Sequence, residues 1–211
     1  MSDVYITAMD ETQYCLCCGE DVRFNRIKRN QRIEQTCIYC GFLLSYQDEP
    51  LEIVNKPAVQ TVPDISRYAL IAEDSKFTRN VIKDLLIKNN MADVVMDFEN
   101  GLELTSAFAK LLHEKKPMEI SIIVDISMPV MDGFSAARTI RGIEAQSGVP
   151  PIPIIFFSAI KADDNLRNKM RILAPAYYMN KSSDSDPDKL AERVEQLLSY
   201  LTQVRTRQGP V

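Results

Sequence analysis

The sequence predicts an α/β protein: a doubly wound, five-stranded parallel sheet with a small cysteine-built module on its N-terminal side. Three observations carry this. Short apolar, β-branched runs recur, and each ends in a polar group: Ala69–Ala72 in Glu73-Asp74, Ile122–Val124 in Asp125, Ile154–Phe157 in Ser158, Ala176–Met179 in Asn180-Lys181. Stretches with a helical apolar period separate them. All five cysteines lie between positions 15 and 40, and none lies elsewhere.

Composition divides the 211 residues into a polar lead (1–13), a cysteine module (14–46), a linker (47–66), the strand–helix region (67–202) and a short tail (203–211). The linker holds prolines at 50, 57 and 63 and no helical period, so it reads as extended.

In the strand–helix region, Tyr68–Ala72 is the first strand. Ser75 can N-cap a helix to about Asn89, with Phe77, Val81, Ile82 and Leu85 inward. Ala92–Phe98 is a strand, Asn100-Gly101 a turn, and Leu102 to about Glu114 a helix burying Leu104, Phe108, Leu111 and Leu112. The Asp125 strand follows, then a helix from Ser135 to about Ser147, stopped by Gly148 and three prolines. Ile152–Phe157 is a strand, and a weaker helix covers roughly Asp163–Leu173. After the Tyr178 strand, Asp186-Pro187 opens a last helix with Leu190, Val194, Leu197 and Leu201 inward. Five β–α units imply right-handed crossovers and helices on both faces of a parallel sheet.

A parallel sheet collects the strand ends along one edge, where ligands bind in such folds. Clustered carboxylates raise one another's pKa unless a cation neutralises them, and Mg²⁺ suits hard oxygen donors. A carboxylate beside such an ion can attack a phosphoryl group. A lysine, a hydroxyl and backbone N–H groups can take charge from the transferring oxygens. Asp125 as nucleophile, Glu73 and Asp74 at the metal, and Ser158 and Lys181 on phosphoryl oxygens fill these roles.

These residues, in this order, resemble the receiver domain of two-component response regulators, a flavodoxin-like fold, over residues 67–202. The pattern comprises the acidic pair Glu73-Asp74, the run Asp125-Ile126-Ser127-Met128-Pro129-Val130-Met131-Asp132-Gly133, Asn100-Gly101, Ser158-Ala159 and Lys181. The resemblance implies that Asp125 is the phosphoacceptor, that the Ser127 carbonyl completes the Mg²⁺ shell, and that Tyr178 is a switch aromatic. It implies a sensor histidine kinase or phosphotransfer protein as donor, an output protein not identified by the sequence, and a homodimer through the fourth and fifth helices as an option. Two departures stand out: Ser182 follows the lysine where the family has proline, and Ala174-Pro175 replaces a glycine before the last strand. Only nine residues follow the last expected helix, so no C-terminal output domain is expected, and the chain reads as a signalling protein rather than an enzyme.

The cysteines form two C-x-x-C-G knuckles, Cys15/Cys18 and Cys37/Cys40, separated by residues 19–36. This is the pattern of a zinc ribbon, with four thiolates at tetrahedral geometry. Iron can occupy the same ligands. So short a segment lacks an adequate apolar core, which makes the metal its source of folding energy. Cys17 is spare, or replaces Cys15 in a C-x-C arrangement. Arg23, Arg26, Lys28, Arg29 and Arg32 lie between the knuckles, but residues 1–46 carry six acids against these five bases, and Zn(Cys)₄ adds about two negative charges. With a net charge of −4, DNA binding is disfavoured against a solvated or protein-docking face. The rival functions are an unphosphorylated receiver-fold adaptor and a transcription regulator using the ribbon on DNA. No signal peptide and no apolar run near ~18 residues is present, which points to the cytoplasm.

Overall fold

A computed structural model of the chain describes residues 5–29, 32–48, 66–114, 118–181, 192, 193 and 196. Two sheets result. The first is antiparallel, in the order β1 (Tyr5–Cys15), β2 (Glu20–Arg29), β3 (Arg32–Cys37), β4 (Leu43–Asp48). It is larger than the 14–46 module expected. Residues 5–13, read as a polar lead, pair with β2 through contacts such as Tyr5–Ile27 and Gln13–Val22. Composition missed this because an edge strand with a solvated face needs few apolar residues.

The second sheet is parallel and follows the expected alternation: β5 (Ser66–Ala72), α1 (Lys76–Lys88), β6 (Val94–Phe98), α2 (Gly101–His113), β7 (Met118–Asp125), α3 (Gly133–Ser147), β8 (Ile154–Ser158), α4 (Asp164–Ile172) and β9 (Ala176–Asn180). Its strand order is β6-β5-β7-β8-β9. The chain reverses direction across the sheet after β6, so right-handed crossovers put helices on both faces. α2 and α3 pack together. The reversal makes the gap between β5 and β7 a topological switch point, where a ligand crevice opens at the strands' C-terminal ends. The last expected helix lies outside the described residues, except that Glu192, Arg193 and Gln196 are helical.

The central strands read as continuous apolar runs because both faces are covered. Leu70, Ile71 and Ala72 of β5, Ile122 to Val124 of β7, and Ile154 to Phe157 of β8 are all buried. Leu104, Phe108 and Leu111 of α2 face this core as expected. α1 is turned relative to expectation. It buries Arg79, Ile82 and Leu86, while Phe77 is 71% exposed. Ile82 is buried as expected and Leu85 packs partly against the core, but the arginine at position 79 hid the rest of the buried stripe.

Caps define the helix starts. Ser75, Asn100, Asp132 and Asp163 each accept from the amide three residues on, at 3.4, 3.0, 2.9 and 2.7 Å. α3 therefore begins at Gly133, two residues before the expected start, because Asp132 is the better cap. Gly148, in the left-handed conformation at φ 65°, ends it. The Ala174–Pro175 peptide bond is cis.

Candidate phosphoacceptor site and cysteine cluster

Glu73, Asp74 and Asp125 arrive from the ends of β5 and β7, the two strands flanking the switch point, and each offers a carboxylate oxygen within 4.8 Å of the others. Glu73 and Asp125 are buried and Asp74 is exposed, so the cluster opens on one side. Lys181, just past β9, reaches across with its ammonium 2.7 Å from Glu73 Oε2 and 2.9 Å from Asp125 Oδ2. The ammonium also lies over the Phe157 ring, 5.2 Å from its centre. Burial pushes the Glu73 carboxyl above its ordinary value, and the Asp125 charge adds to this against the pull of Lys181.

Backbone groups orient the two buried acids. The Ser75 amide donates to Glu73 Oε1 at 3.3 Å, and the Ser127 amide to Asp125 Oδ1 at 3.3 Å. Glu73 Oε2 has the ammonium beside it but no partner in hydrogen-bonding orientation. A buried lone pair left in that state suits a hard cation.

Two glycines let the surrounding loops close. A Cβ on Gly133 would lie 2.2 Å from the Asp125 carbonyl oxygen, so the start of α3 packs on the end of β7 only without a side chain. A Cβ on Gly101 would meet the Met131 carbonyl at 2.7 Å, the group that its amide bonds at 3.1 Å. Between them, exposed Val130 adopts φ 65°, a conformation costly for a β-branched residue.

Ser158 sits one residue beyond Phe157, the register partner of Asp125, and so shares the edge. Its Oγ accepts from the Ile160 amide at 3.1 Å, and its carbonyl accepts from the Lys181 amide at 2.7 Å. Tyr178 is not at the carboxylates. It is buried on the far side of β9, where its hydroxyl donates to the Ile160 carbonyl and accepts from Asn180 Nδ2 at 2.7 Å. Burial raises its pKa.

The cysteine cluster comprises Cys15, Cys18, Cys37 and Cys40, with all four sulfurs within 4.8 Å of one another. Gly19 and Gly41 take φ 71° and 77°, and their amides close the knuckles on the Cys15 and Cys37 carbonyls at 2.7 and 2.9 Å. Amides of Cys18 and Cys40 donate to the Cys15 and Cys37 sulfurs, both at 3.4 Å. Cys17 is outside the cluster, so the C-x-C alternative falls away. Burial pushes the Cys17 thiol well up, and its carbonyl turns to the parallel-sheet domain, where the Asn180 amide donates to it at 2.8 Å.

Sequence reasoning missed three contributors. Arg79 holds the Glu73 carbonyl and pairs with Asp97 at 3.4 Å and Glu99 at 3.0 Å. Asn180 and Arg193 join the two sheets. None carries a local signal: a polar residue at a strand end or in a helix reads as solvent-facing until the tertiary partner is known.

An acidic pair, a central aspartate, a hydroxyl and a bridging lysine on the C-terminal edge of a doubly wound sheet define a class of site built to receive an anion beside a cation. Comparison with known sequences gives the class its family. The response regulator receiver domain matches residues 69–195, and the chain belongs to that family. It is similar to the chemotaxis protein CheY of Bacillus subtilis, 36% identical over 80 residues, covering 38% of this chain and 61% of that protein. A protein-glutamate methylesterase/protein-glutamine glutaminase of Methanosarcina acetivorans is 36% identical over 94 residues, covering 44% of this chain and 24% of that protein. The chain thus spans less than two thirds of these relatives. Among solved structures, the receiver domain of the Arabidopsis thaliana histidine kinase CKI1 complexed with Mg²⁺ aligns with a TM-score of 0.51 at 26% identity, covering 63% of this chain and 91% of that one. Its complex with Mg²⁺ and BeF₃⁻ aligns with a TM-score of 0.50 at 25% identity, covering 62% of this chain and 90% of that one. Among the described residues, no helix is long and apolar enough to cross a membrane.

Proposed function

We propose that this protein is a phosphorelay response regulator that accepts a phosphoryl group on Asp125 from a histidine kinase or phosphotransfer protein and signals through protein contacts. The observation that carries this is the Lys181 ammonium held between Glu73 and Asp125, with Asp74 open beside them. An Asp125 oxygen attacks phosphorus, the bond from phosphorus to the donor's nitrogen or oxygen breaks, and the donor leaves with that electron pair. Asp125 becomes an acyl phosphate, which water later cleaves to phosphate and the free carboxylate. Lys181 and the Ser158 hydroxyl take charge from the phosphoryl oxygens. Glu73, Asp74, Asp125 and the Ser127 carbonyl would hold Mg²⁺. The bound ion would offset the carboxylate charges and those of the incoming oxygens. The chain turns over no separate substrate in this reading.

The four-cysteine cluster fits Zn²⁺. A tetrahedron with Zn–S of ~2.3 Å has edges of about 3.8 Å, and the Cys18–Cys37 and Cys15–Cys40 sulfurs are 3.8 and 3.5 Å apart. Zinc rather than iron would leave the protein colourless, and native minus denatured mass would identify the ion.

Intact mass before and after a small phosphodonor with Mg²⁺ tests the central claim. The parent should gain one phosphate and Asp125→Asn none. A parent that gains none, or a variant that gains as much, overturns it.

A further inference from the structure

The cysteine ribbon is docked on the receiver, and the contacts lead to the phosphoacceptor site. The Cys17 carbonyl accepts from the Asn180 amide at 2.8 Å and from Arg193 Nη2 at 3.0 Å. Arg193 Nε donates to the Leu16 carbonyl at 2.8 Å, and Arg193 is only 3% exposed. On the rim, Lys161 pairs with Glu20 at 2.8 Å. Two cavities of about 290 and 300 Å³ lie along the seam. Cys18 and Tyr39 wall the first from the ribbon side, Cys40 and Phe42 the second, and Tyr178 walls both from the receiver side.

From this seam two short paths run inward. Asn180, fastened to Cys17, directly precedes Lys181, whose ammonium meets Glu73 and Asp125. Tyr178 holds the Ile160 carbonyl, and the amide of the same Ile160 donates to Ser158 Oγ. That bond uses one of the oxygen's two lone pairs and orients the hydroxyl, whose O–H can still donate. Asn180, fastened to Cys17, also donates from Nδ2 to the Tyr178 hydroxyl at 2.7 Å, so both groups that would take charge from a phosphoryl oxygen connect to the ribbon through Asn180.

We infer that the ribbon is an intramolecular positioning element for the phosphoacceptor site, so that ribbon docking and phosphorylation of Asp125 favour each other. The inference rests on the reading of Asp125 as phosphoacceptor. Held in place through Asn180, Lys181 and Ser158 need less reorganisation when the phosphoryl group arrives, which speeds uptake, and they stabilise the acyl phosphate at equilibrium once it has formed. Linkage then requires the acyl phosphate to tighten docking. A partner that pulls the ribbon away would slow phosphorylation without touching the carboxylates.

The test uses the full, metal-loaded chain with acetyl phosphate and Mg²⁺. Phosphate uptake is followed by intact mass, and amide exchange of residues 15–24 and 37–43 is followed with and without the donor. Lys161→Glu should slow uptake about twofold, a surface-pair effect. The exchanged pair Lys161→Glu with Glu20→Lys should recover the parent rate, which a merely structural loss would not. Arg193→Met should slow uptake about fivefold, and if it does not fold, the charge pair alone decides. Phosphorylation of the parent should slow ribbon exchange. Uptake that is normal in the parent and indifferent to all three variants, or ribbon exchange indifferent to phosphate, overturns the coupling alone. A parent that takes no phosphate overturns the phosphoacceptor reading and the coupling with it.

Discussion

At the residue scale, the site depends on buried Glu73, whose carboxyl is pushed up by burial and pulled down by Lys181. Glu73 is raised above the ordinary 4.5 chiefly by burial. Its charged form is therefore disfavoured in the folded protein, and the metal-free fold loses stability as pH rises from the ordinary glutamate range through the raised value. A cation at the site must displace that proton. Mg²⁺ affinity should fall as pH drops into the range above 4.5, approaching about tenfold per pH unit. Titration of bound Mg²⁺ by calorimetry at stepped pH checks this, and Glu73→Gln should flatten the profile. Gly133 is the other decisive residue. Gly133→Ala would drive a methyl into the Asp125 carbonyl, so we expect a loss of roughly 3 kcal/mol in urea unfolding. Val130→Asn works the other way. Asparagine tolerates φ 65°, and the variant should gain about 1 kcal/mol with the loop after Asp125 intact.

At the element scale, helix starts position the chemistry. Asn100 caps α2 through the Glu103 amide, and Glu103 returns a carboxylate to the Glu99 amide at 3.2 Å, a reciprocal cap at the mouth of the site. Asn100→Ala should cost about 1 kcal/mol in thermal or urea unfolding. The helices were legible because their caps and stops are local: Ser75, Asn100, Asp163 and Gly148 lie where their side chains or lack of one demand. The face of α1 was not legible. Arg79 is buried because Asp97 and Glu99 come to it from the β6 end, a partnership between segments about twenty residues apart that no helical period encodes.

At the scale of the whole molecule, two sheets with different sources of stability meet at one seam. The parallel sheet buries continuous apolar strands, whereas the antiparallel one, among the described residues, gathers Cys15, Cys17, Cys18, Val22, Phe24 and Cys37 as its buried apolar set. Removing a metal from the four sulfurs should unfold residues 5–48 and leave the parallel sheet standing. The receiver would lose the Arg193 and Asn180 contacts at a cost of about 2 kcal/mol. Amide exchange with and without a strong chelator separates the two, and joint unfolding of both sheets would contradict a parallel sheet that stands without the ribbon.

The alternation of strands and helices from Ser66 to Asn180, the four clustered cysteines and the residues at the carboxylate edge of the parallel sheet follow from the sequence alone, because each depends on local period, capping or spacing. The reach of the antiparallel sheet back to Tyr5, the burial of Arg79 on α1 and the docking of the ribbon beside Tyr178 were decided only by tertiary structure. Each of these depends on which distant backbone or charge satisfies a buried polar group, and that partner is chosen by packing rather than by neighbours in the chain.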